Sequence, residues 1–249
     1  LVRSRGLGDV YKRQIVKSLG ARVLPGLRGD TVLPKQTASA AAYWIAEGAA
    51  LTESSATYGS VRLEPKHVGA LSALSRQLIQ QANPAVEQLT RDDFAQVVGL
   101  AVDKALFHGT AVANQPVGIL ATSGIQTAAL GTLTWAAIVA MLEKLGLENV
   151  TPNAIVTHAK AATKLQTTLK NAANGAEYLL QNGRVAELPA YVTNQLDAVS
   201  GVLGRVIAGD FSQIVIGEWG ATEILANPYA AGYYEKGDVQ IRILHTMDA

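Results

Sequence analysis

One long helix is the feature that most constrains how this chain can fold. Between residues 83 and 109 the apolar side chains recur with the 3.6-residue period of an α-helix. Asn83 is favoured at a helix N-cap, and Pro84 is favoured at the first helical position. We therefore predict a helix over residues 84–107, about 24 residues and roughly 36 Å long. Such a length makes it the spine of a sizeable fold.

Ahead of this helix the sequence predicts a long two-stranded excursion over about residues 37–63. We expect residues 40–46, which include Tyr43 and Trp44, to form one arm and residues 57–63 to form the other. The segment between these arms is small, polar and rich in turn-forming residues. A strand pair of this length with so few apolar residues at its tip has little of its own to bury. We therefore expect it to pack against something outside its own subunit.

The rest of the chain mixes helices and strands without a regular strand–helix–strand repeat. The further elements we expect are an alternating run through 61–74, a loop returning to an apolar strand at 115–120, a helix at 134–145, a buried strand at 153–158, a helix at 159–170, a strand, Gly-Asp turn and strand over 205–218, and a final strand at 238–244. This mixture predicts the α+β class.

Composition excludes several classes of protein. Charged residues make up 16% of the chain, and typical globular domains have about 25%, so neither a disordered chain nor a coiled coil fits. The absence of cysteine excludes disulfides, thiolate metal sites and a cysteine nucleophile. No apolar run approaches the roughly 20 residues that a membrane-spanning helix needs. We therefore expect a soluble globular protein with no membrane partner.

No residue pattern typical of a catalytic, cofactor-binding or metal site is present in the sequence. The four histidines are scattered, and none has a partner at metal-binding spacing. The chain has neither a nucleophile elbow nor a phosphate-binding loop of the common kind. We therefore predict no catalytic residues, no cofactor and no metal, and we favour a structural or binding role. An α+β enzyme with dispersed catalytic residues is the alternative.

The first 14 residues are interpreted as foreign to the native protein. Residues 4–14 resemble the translation of a transposon-end sequencing adaptor, and a genuine basic N-terminal arm is the alternative reading. Without residues 1–14 the chain keeps 17 basic and 19 acidic residues, a net charge of −2 instead of +1. The apparent basicity is therefore no argument for nucleic-acid binding.

Four strings, in a fixed order, carry a resemblance to a known family: residues 83–109, the sequence Gln115-Pro116-Val117-Gly118-Ile119-Leu120, residues 205–217 and residues 238–249. With the excursion that precedes the helix, they resemble the major capsid proteins of tailed phages of the Hong Kong 97 type. The resemblance covers about residues 21–249, and the order and spacing of the strings are more specific than any one of them.

The resemblance implies a Hong Kong 97-type capsid fold. The segments that it implies are a remnant of the N-terminal arm at 15–33, an E-loop at 34–64, a peripheral P-domain at 65–125, an axial A-domain at 126–234 and a return to the P-domain at 235–249. In that family the E-loop lies over a neighbouring subunit, which would explain a hairpin without its own core. The family pattern continues beyond this chain at both ends, so we expect these residues alone to fold incompletely or to associate poorly.

The resemblance also implies which residues contact a neighbour through the E-loop: Tyr43, Trp44, Glu47, Leu51, Glu53 and Tyr58. Some relatives join an E-loop lysine covalently to an asparagine of the next subunit. Here the tip of the excursion contains no lysine, and Gly48 and Leu51 stand where lysines would be sought. We therefore predict no cross-linking lysine and no covalent cross-linking.

The function that the resemblance implies is that of a non-enzymatic shell subunit of a tailed phage or prophage. Its partners would be copies of itself in pentamers and hexamers, and double-stranded DNA enclosed without sequence-specific contacts. Scaffold, protease, portal and decoration proteins are further partners that the resemblance allows. The protein would be assembled in the bacterial cytoplasm and reside in the virion. The alternative within the same fold is an encapsulin-like nanocompartment shell, whose cargo is an enzyme.

Overall fold

The computed structural model describes residues 14–50, 52–81, 85–128, 130–131, 133–171, 175, 177–196 and 204–249. The interpretation of residues 1–13, the predicted cap at Asn83 and Pro84, and the predicted contact residue Leu51 lie outside the described residues.

The main elements are, in chain order, α1 (Ile15–Ser18), β1 (Arg22–Leu24), β2 (Thr31–Ala38), β3 (Thr57–Leu63), β4 (Lys66–Leu74), α2 (Arg76–Gln81), α3 (Ala85–His108), α4 (Trp135–Leu147), β5 (Ala154–Thr157), α5 (Ala159–Thr167), β6 (Arg184–Val185), β7 (Leu188–Val192), β8 (Val206–Gly209), β9 (Val215–Glu218), β10 (Glu223–Asn227) and β11 (Val239–Asp248). Four short 3₁₀ helices lie between them within the described residues.

The larger sheet is organised around the last strand, β11. Along one edge of β11, strand β4 pairs antiparallel at nine positions, from Val239 with Leu74 to Met247 with Lys66. Along the other edge, β10 pairs with the first half of β11 and β9 with its last residues, and β1 joins β9 in parallel. The sheet therefore joins segments that are far apart in sequence.

The predicted spine helix forms as α3, Ala85–His108, within one residue of the predicted bounds. Phe94, Val98, Val102 and Leu106 recur every four residues and are all buried in the core that α3 shares with the larger sheet. Residues at this spacing lie on one face of a helix, one above the other. The apolar residues of the periodic pattern thus form the face of α3 that covers the larger sheet.

The smaller sheet has the strand order β6, β7, β5, β8. Its central strand β5 is buried at all four positions, as the predicted buried strand requires. Ala154 and Val156 belong to the core under α3, whereas Ile155 belongs to a second core with α4 and α5. Because side chains alternate between the faces of a strand, β5 contributes to both cores, which connects the two halves of the subunit.

Residues 205–218 form both predicted strands, β8 and β9, which lie in different sheets. One prediction for the body needs correction. The apolar strand expected after residue 115 is replaced by a 3₁₀ helix at Ile119–Ala121. Here the chain turns back onto the end of α3, with the Gly118 amide donating to the Gly109 carbonyl at 2.7 Å. That close backbone contact ties the segment to the helix end instead of a sheet.

Candidate interaction surface

The two-stranded excursion forms a hairpin, residues 31–63, that projects from the larger sheet. Its strands β2 and β3 pair antiparallel from Thr31 with Leu63 to Ala38 with Thr57, with an irregularity between Gln36 and Ala38. Leu63, at the base, is only 1% exposed, whereas most of the other described hairpin residues are exposed. The hairpin therefore has a buried base and two uncovered faces.

The predicted position of the first arm is wrong. Residues 40–46 form no strand, and the partner of β3 is β2, several residues earlier in the chain. The run Ser39–Ala42 consists of small residues with low preference for strands, whereas Thr31–Leu33 contains the β-branched and apolar residues that strands favour. Residues 39–56 instead form the connection at the tip.

Among its described residues, the tip is held by a few polar contacts and has no apolar core. The Ser54 hydroxyl accepts a hydrogen bond from the Ala41 amide at 2.8 Å and donates to the Ala41 carbonyl at 3.0 Å. A turn follows Ala46, and Gly48 there has φ of +81°, a conformation that favours glycine. These contacts fix the course of the backbone, and the described large side chains of the tip, Tyr43, Trp44 and Ile45, are at least half exposed.

Five of the six predicted contact residues lie on this hairpin and are exposed: Tyr43, Trp44, Glu47, Glu53 and Tyr58. The Trp44 side chain is completely exposed, at 104% of the reference area, and Tyr58 is 73% exposed. Aromatic residues that are exposed in a free subunit are often buried at the centre of an interface once a partner binds. The structure thus brings these residues together on one projecting element.

The sequence reasoning missed two further exposed apolar residues, Val32 and Val61. The pairing places Val32 on the same hairpin face as Tyr58, and Val61 opposite Leu33 on the other face. The β-branched and apolar composition of Thr31–Leu33 was the signal that could have found Val32, and the misplaced first arm concealed it. Both faces of the hairpin therefore offer apolar surface.

A second exposed apolar strip runs along the outer side of α3. Leu89, Val97 and Leu100 lie within one helical face and are about half exposed. Beyond the far end of the larger sheet, Tyr229 and Tyr234 are exposed and form a tilted aromatic pair with ring centroids 5.9 Å apart. The subunit thus carries uncovered apolar side chains at several separated places.

Two buried ionisable side chains have structural partners. Asp103 of α3 is 2% exposed and accepts a hydrogen bond from the Ile15 amide at 3.0 Å. Burial raises its pKa to about 6. His245 of β11 lies 3.0 Å from the Thr222 hydroxyl, and burial lowers its pKa. Each group connects separate segments of the chain, which is a role in the fold.

Within the described residues, no group of three or more potential metal ligands lies together. Among the same residues, no helix is both long enough and apolar enough to cross a membrane.

Comparison with known proteins gives one family. A model of the phage capsid family matches residues 7–249. The match begins inside the segment interpreted as an adaptor translation, so that interpretation stays a prediction.

Two curated relatives are major capsid proteins. The protein of Halomonas phage phiHAP-1 is 31% identical over 215 residues, which is 85% of this chain and 35% of the relative. The protein of Klebsiella oxytoca phage phiKO2 is 27% identical over 229 residues, 85% of this chain and 53% of the relative. The chain thus spans about a third to a half of the length of these relatives.

Solved capsid structures share the fold. A capsid of a native GTA particle, computed with C5 symmetry, has a TM-score of 0.73 at 17% identity and covers 94% of this chain and 85% of its own. The capsid of an empty GTA particle has a TM-score of 0.75 at 16% identity, with 100% and 95% covered. A structure from Mycobacterium phage Ogopogo has a TM-score of 0.73 at 20% identity, with 94% and 86% covered. These values identify a mixed α+β fold of the Hong Kong 97 type.

Proposed function

Because this chain belongs to the phage capsid family, we propose that it is a major capsid protein, a structural shell subunit of a tailed phage or a GTA-like particle. The observation that carries the proposal is the hairpin, which projects from a well-packed body and has neither face covered. A two-stranded hairpin is at best marginally stable alone in water. Its missing core is supplied when subunits assemble, and its function is assembly instead of catalysis.

The hairpin corresponds to the E-loop and lies over a neighbouring copy of the chain. Trp44 and Tyr43 are the anchors that this contact buries, with Tyr58, Glu47, Glu53 and Leu51 around them. Support comes from the exposure of Trp44 and Tyr58, because large aromatic residues contribute most to interface energies. Interfaces around a ring are head-to-tail, so the residues that receive the hairpin are different residues of the next copy.

The body divides into the two packed units, for which we propose the P-domain and the A-domain. The P-domain contains α3 and the larger sheet, and the A-domain contains the smaller sheet with α4 and α5. Because β9 and β10 pair within the larger sheet, we place the end of the A-domain near residue 210 instead of 234. The segment before β2 is the remnant of the N-terminal arm, and its strand β1 adds to the edge of the larger sheet by pairing with β9.

The proposed product of assembly is an icosahedral head of pentamers and hexamers in the virion, formed in the bacterial cytoplasm around double-stranded DNA. The net charge of −2 without residues 1–14 supports a shell that does not grip phosphates broadly. Portal, scaffold, protease and decoration proteins are the further partners that such a shell would use.

Electron microscopy of the protein, expressed from the full reading frame of its gene, tests the proposal. We expect closed shells with fivefold and sixfold capsomers, and we expect Tyr43→Ala combined with Trp44→Ala to abolish them. The matched control is Leu147→Ala, an exposed apolar residue at the end of α4 outside the hairpin. A parent protein that stays monomeric at high concentration would contradict the proposal. Protein cargo in place of DNA inside native particles would favour the nanocompartment alternative.

A further inference from the structure

Both limbs of the hairpin are tied to one corner of the larger sheet. This corner is formed by the end of β9, by Trp219 directly after it, and by the end of β11, where Asp248 pairs with Gly217 and Met247 with Glu218. The Trp219 amide also donates to the Thr246 carbonyl at 3.1 Å. The corner therefore belongs to the packed body of the subunit.

The limb that leads into the hairpin is held by two hydrogen bonds to this corner. The Leu27 amide donates to the Glu218 carbonyl at 3.1 Å, and the Trp219 indole Nε1 donates to the Gly29 carbonyl at 2.7 Å. The Leu27 side chain also lies against Gly217, where a Cβ would come within 2.8 Å of it. The incoming limb is thus fixed just before β2 begins.

The limb that leaves the hairpin is held by Asp248. One carboxylate oxygen accepts from the Glu64 amide at 2.9 Å, and the other accepts from Lys66 Nζ at 2.7 Å. The Asp248 residue is 2% exposed, and charge-assisted hydrogen bonds in such surroundings are stronger than neutral ones. Glu64 is the first residue after β3, so the tie acts where the hairpin ends.

A cross-brace connects the two limbs at the same level. The Arg62 guanidinium bonds to Asp30 on the incoming limb, and its Nε lies 3.2 Å from the Glu64 carboxylate on the outgoing limb. A hairpin held through one limb can swing about that limb. A hairpin held through both limbs, with a brace between them, keeps one orientation.

We propose that Asp248 and Trp219 are positioning residues that set the direction of the hairpin in the free subunit, before any neighbour binds. A small tilt at the root moves the far end of the arm by several ångströms, because β2 has eight residues. At about 3.3 Å per residue the arm is roughly 25 Å long, and a tilt of about 10° at its root moves its end by about 4 Å. Such a displacement exceeds what a specific interface tolerates, so orientation at the root governs how well assembly proceeds.

Only the effect of the hairpin's orientation on assembly rests on the proposed function. The orientation itself is tested in the unassembled subunit. The 249-residue chain has no cysteine, so spin labels can be attached at Ala38→Cys, at the end of β2, and at Lys104→Cys on α3. Electron–electron resonance then gives the distribution of the distance between the end of the arm and the body. We expect one narrow distribution for the parent chain.

We expect Asp248→Ala to widen this distribution by roughly 4 Å or more, the displacement of a 10° tilt. Trp219→Phe keeps the ring and removes the hydrogen bond to Gly29, so a smaller widening is expected. The matched control is Asp238→Ala at the opposite end of β11, where the carboxylate accepts from the Arg76 amide at 3.2 Å. It should leave the distribution unchanged.

Equal, narrow distributions in the parent, Asp248→Ala and Trp219→Phe chains would overturn the inference, and so would equal widening in the Asp238→Ala control. If Asp248→Ala loses its native circular dichroism, Trp219→Phe and Lys66→Met decide the matter by the same measurement. Absence of shells from the parent protein would defeat the proposed function and leave this result standing, so the two failures are distinguishable.

Discussion

The subunit contains two long antiparallel strand pairs that differ in almost everything except their hydrogen bonding. β4 and β11 pair at nine positions, and β2 and β3 pair at seven. α3 covers the first pair with a row of apolar residues, whereas no described element of the subunit covers either face of the second. The comparison shows that backbone pairing alone does not make a stable sheet, because burial of a face supplies most of the free energy.

The difference separates folding from assembly. Substitutions in the body should change the free energy of unfolding of the subunit, since the body buries its own core. Substitutions in the hairpin should change association, since the hairpin leaves its apolar surface for a partner. The following variants test that separation, beginning with the largest expected change in the stability of the subunit.

Phe107→Ala should have the largest effect. Phe107 is fully buried at the end of α3, and removing a core phenylalanine costs about 3–5 kcal/mol. Tyr58→Ala removes an aromatic ring of similar size from the hairpin, and we expect a change within about 0.5 kcal/mol. Urea denaturation of the two unassembled variants measures both values. Equal losses of stability would break the distinction between body and hairpin.

Asp103→Asn should change how stability depends on pH. Burial raises the pKa of Asp103 from 3.8 to about 6, so the unfolded chain loses this proton first as the pH rises. The free energy of unfolding of the parent therefore falls as the pH rises from about 4 to about 6, by at most about 3 kcal/mol. Asparagine cannot ionise.

Denaturation of the parent and the Asp103→Asn variant at pH 4.5 and pH 7.5 gives the check. Relative to the Asp103→Asn variant, the parent should have a lower free energy of unfolding at pH 7.5 than at pH 4.5. A shift in the opposite direction, or none, would show that the environment of Asp103 favours the carboxylate.

Gly118→Ala should destabilise the body where the chain turns back onto α3. A Cβ at Gly118 would lie 2.5 Å from the Gly109 amide nitrogen, and overpacking of this kind costs about 1–3 kcal/mol. Gly146→Ala is the matched control, because nothing lies within 4 Å of its Cβ position inside α4. That variant should gain about 0.5–1 kcal/mol from helix propensity. Thermal unfolding distinguishes the two signs.

Trp44→Ala should leave the stability of the free subunit within about 0.5 kcal/mol of the parent value, as expected for an exposed position. It should nevertheless reduce assembly strongly, because the contact it removes lies between subunits. Sedimentation velocity together with denaturation measures both properties on one preparation. A variant that assembles normally would remove Trp44 from the proposed interface.

The last prediction involves no change in the stability of the subunit: assembled subunits should carry no covalent bonds to one another. The tip carries Gly48 and Leu51 where the family resemblance would place a lysine, and residues 39–56 contain no lysine. Assembled particles boiled in detergent should therefore give one band of subunit mass on a denaturing gel. A ladder of covalent oligomers would contradict this.

Local patterns predicted the helices and the buried strand well. The helix signal at 84–107 gave α3 to within one residue, and Thr134 caps α4 as expected, with its hydroxyl accepting from the Ala137 amide at 3.3 Å. The short apolar run Ala154–Val156 gave β5, a strand that is buried at all four positions. These signals succeed because capping and helical periodicity depend on residues within one or two turns.

Strand pairing was predicted less well. The first arm of the hairpin was placed at 40–46 instead of Thr31–Ala38, and β10 was not anticipated. A pair such as Gly69 with Leu244 joins residues far apart in sequence, and its register depends on which faces become buried. The candidate interaction residues came from the family resemblance instead of a local pattern, and their contact with a neighbouring subunit stays a prediction.

The sequence by itself determined the α+β class, the spine helix and the absence of cysteine chemistry, because these follow from composition and from short-range periodicity. Only the tertiary structure decided that β8 and β9, separated by one turn, enter different sheets, and that Asp248 holds the root of a hairpin more than 180 residues earlier in the chain. Such contacts depend on how buried faces and charged groups find partners across the whole fold, and no local pattern encodes that choice.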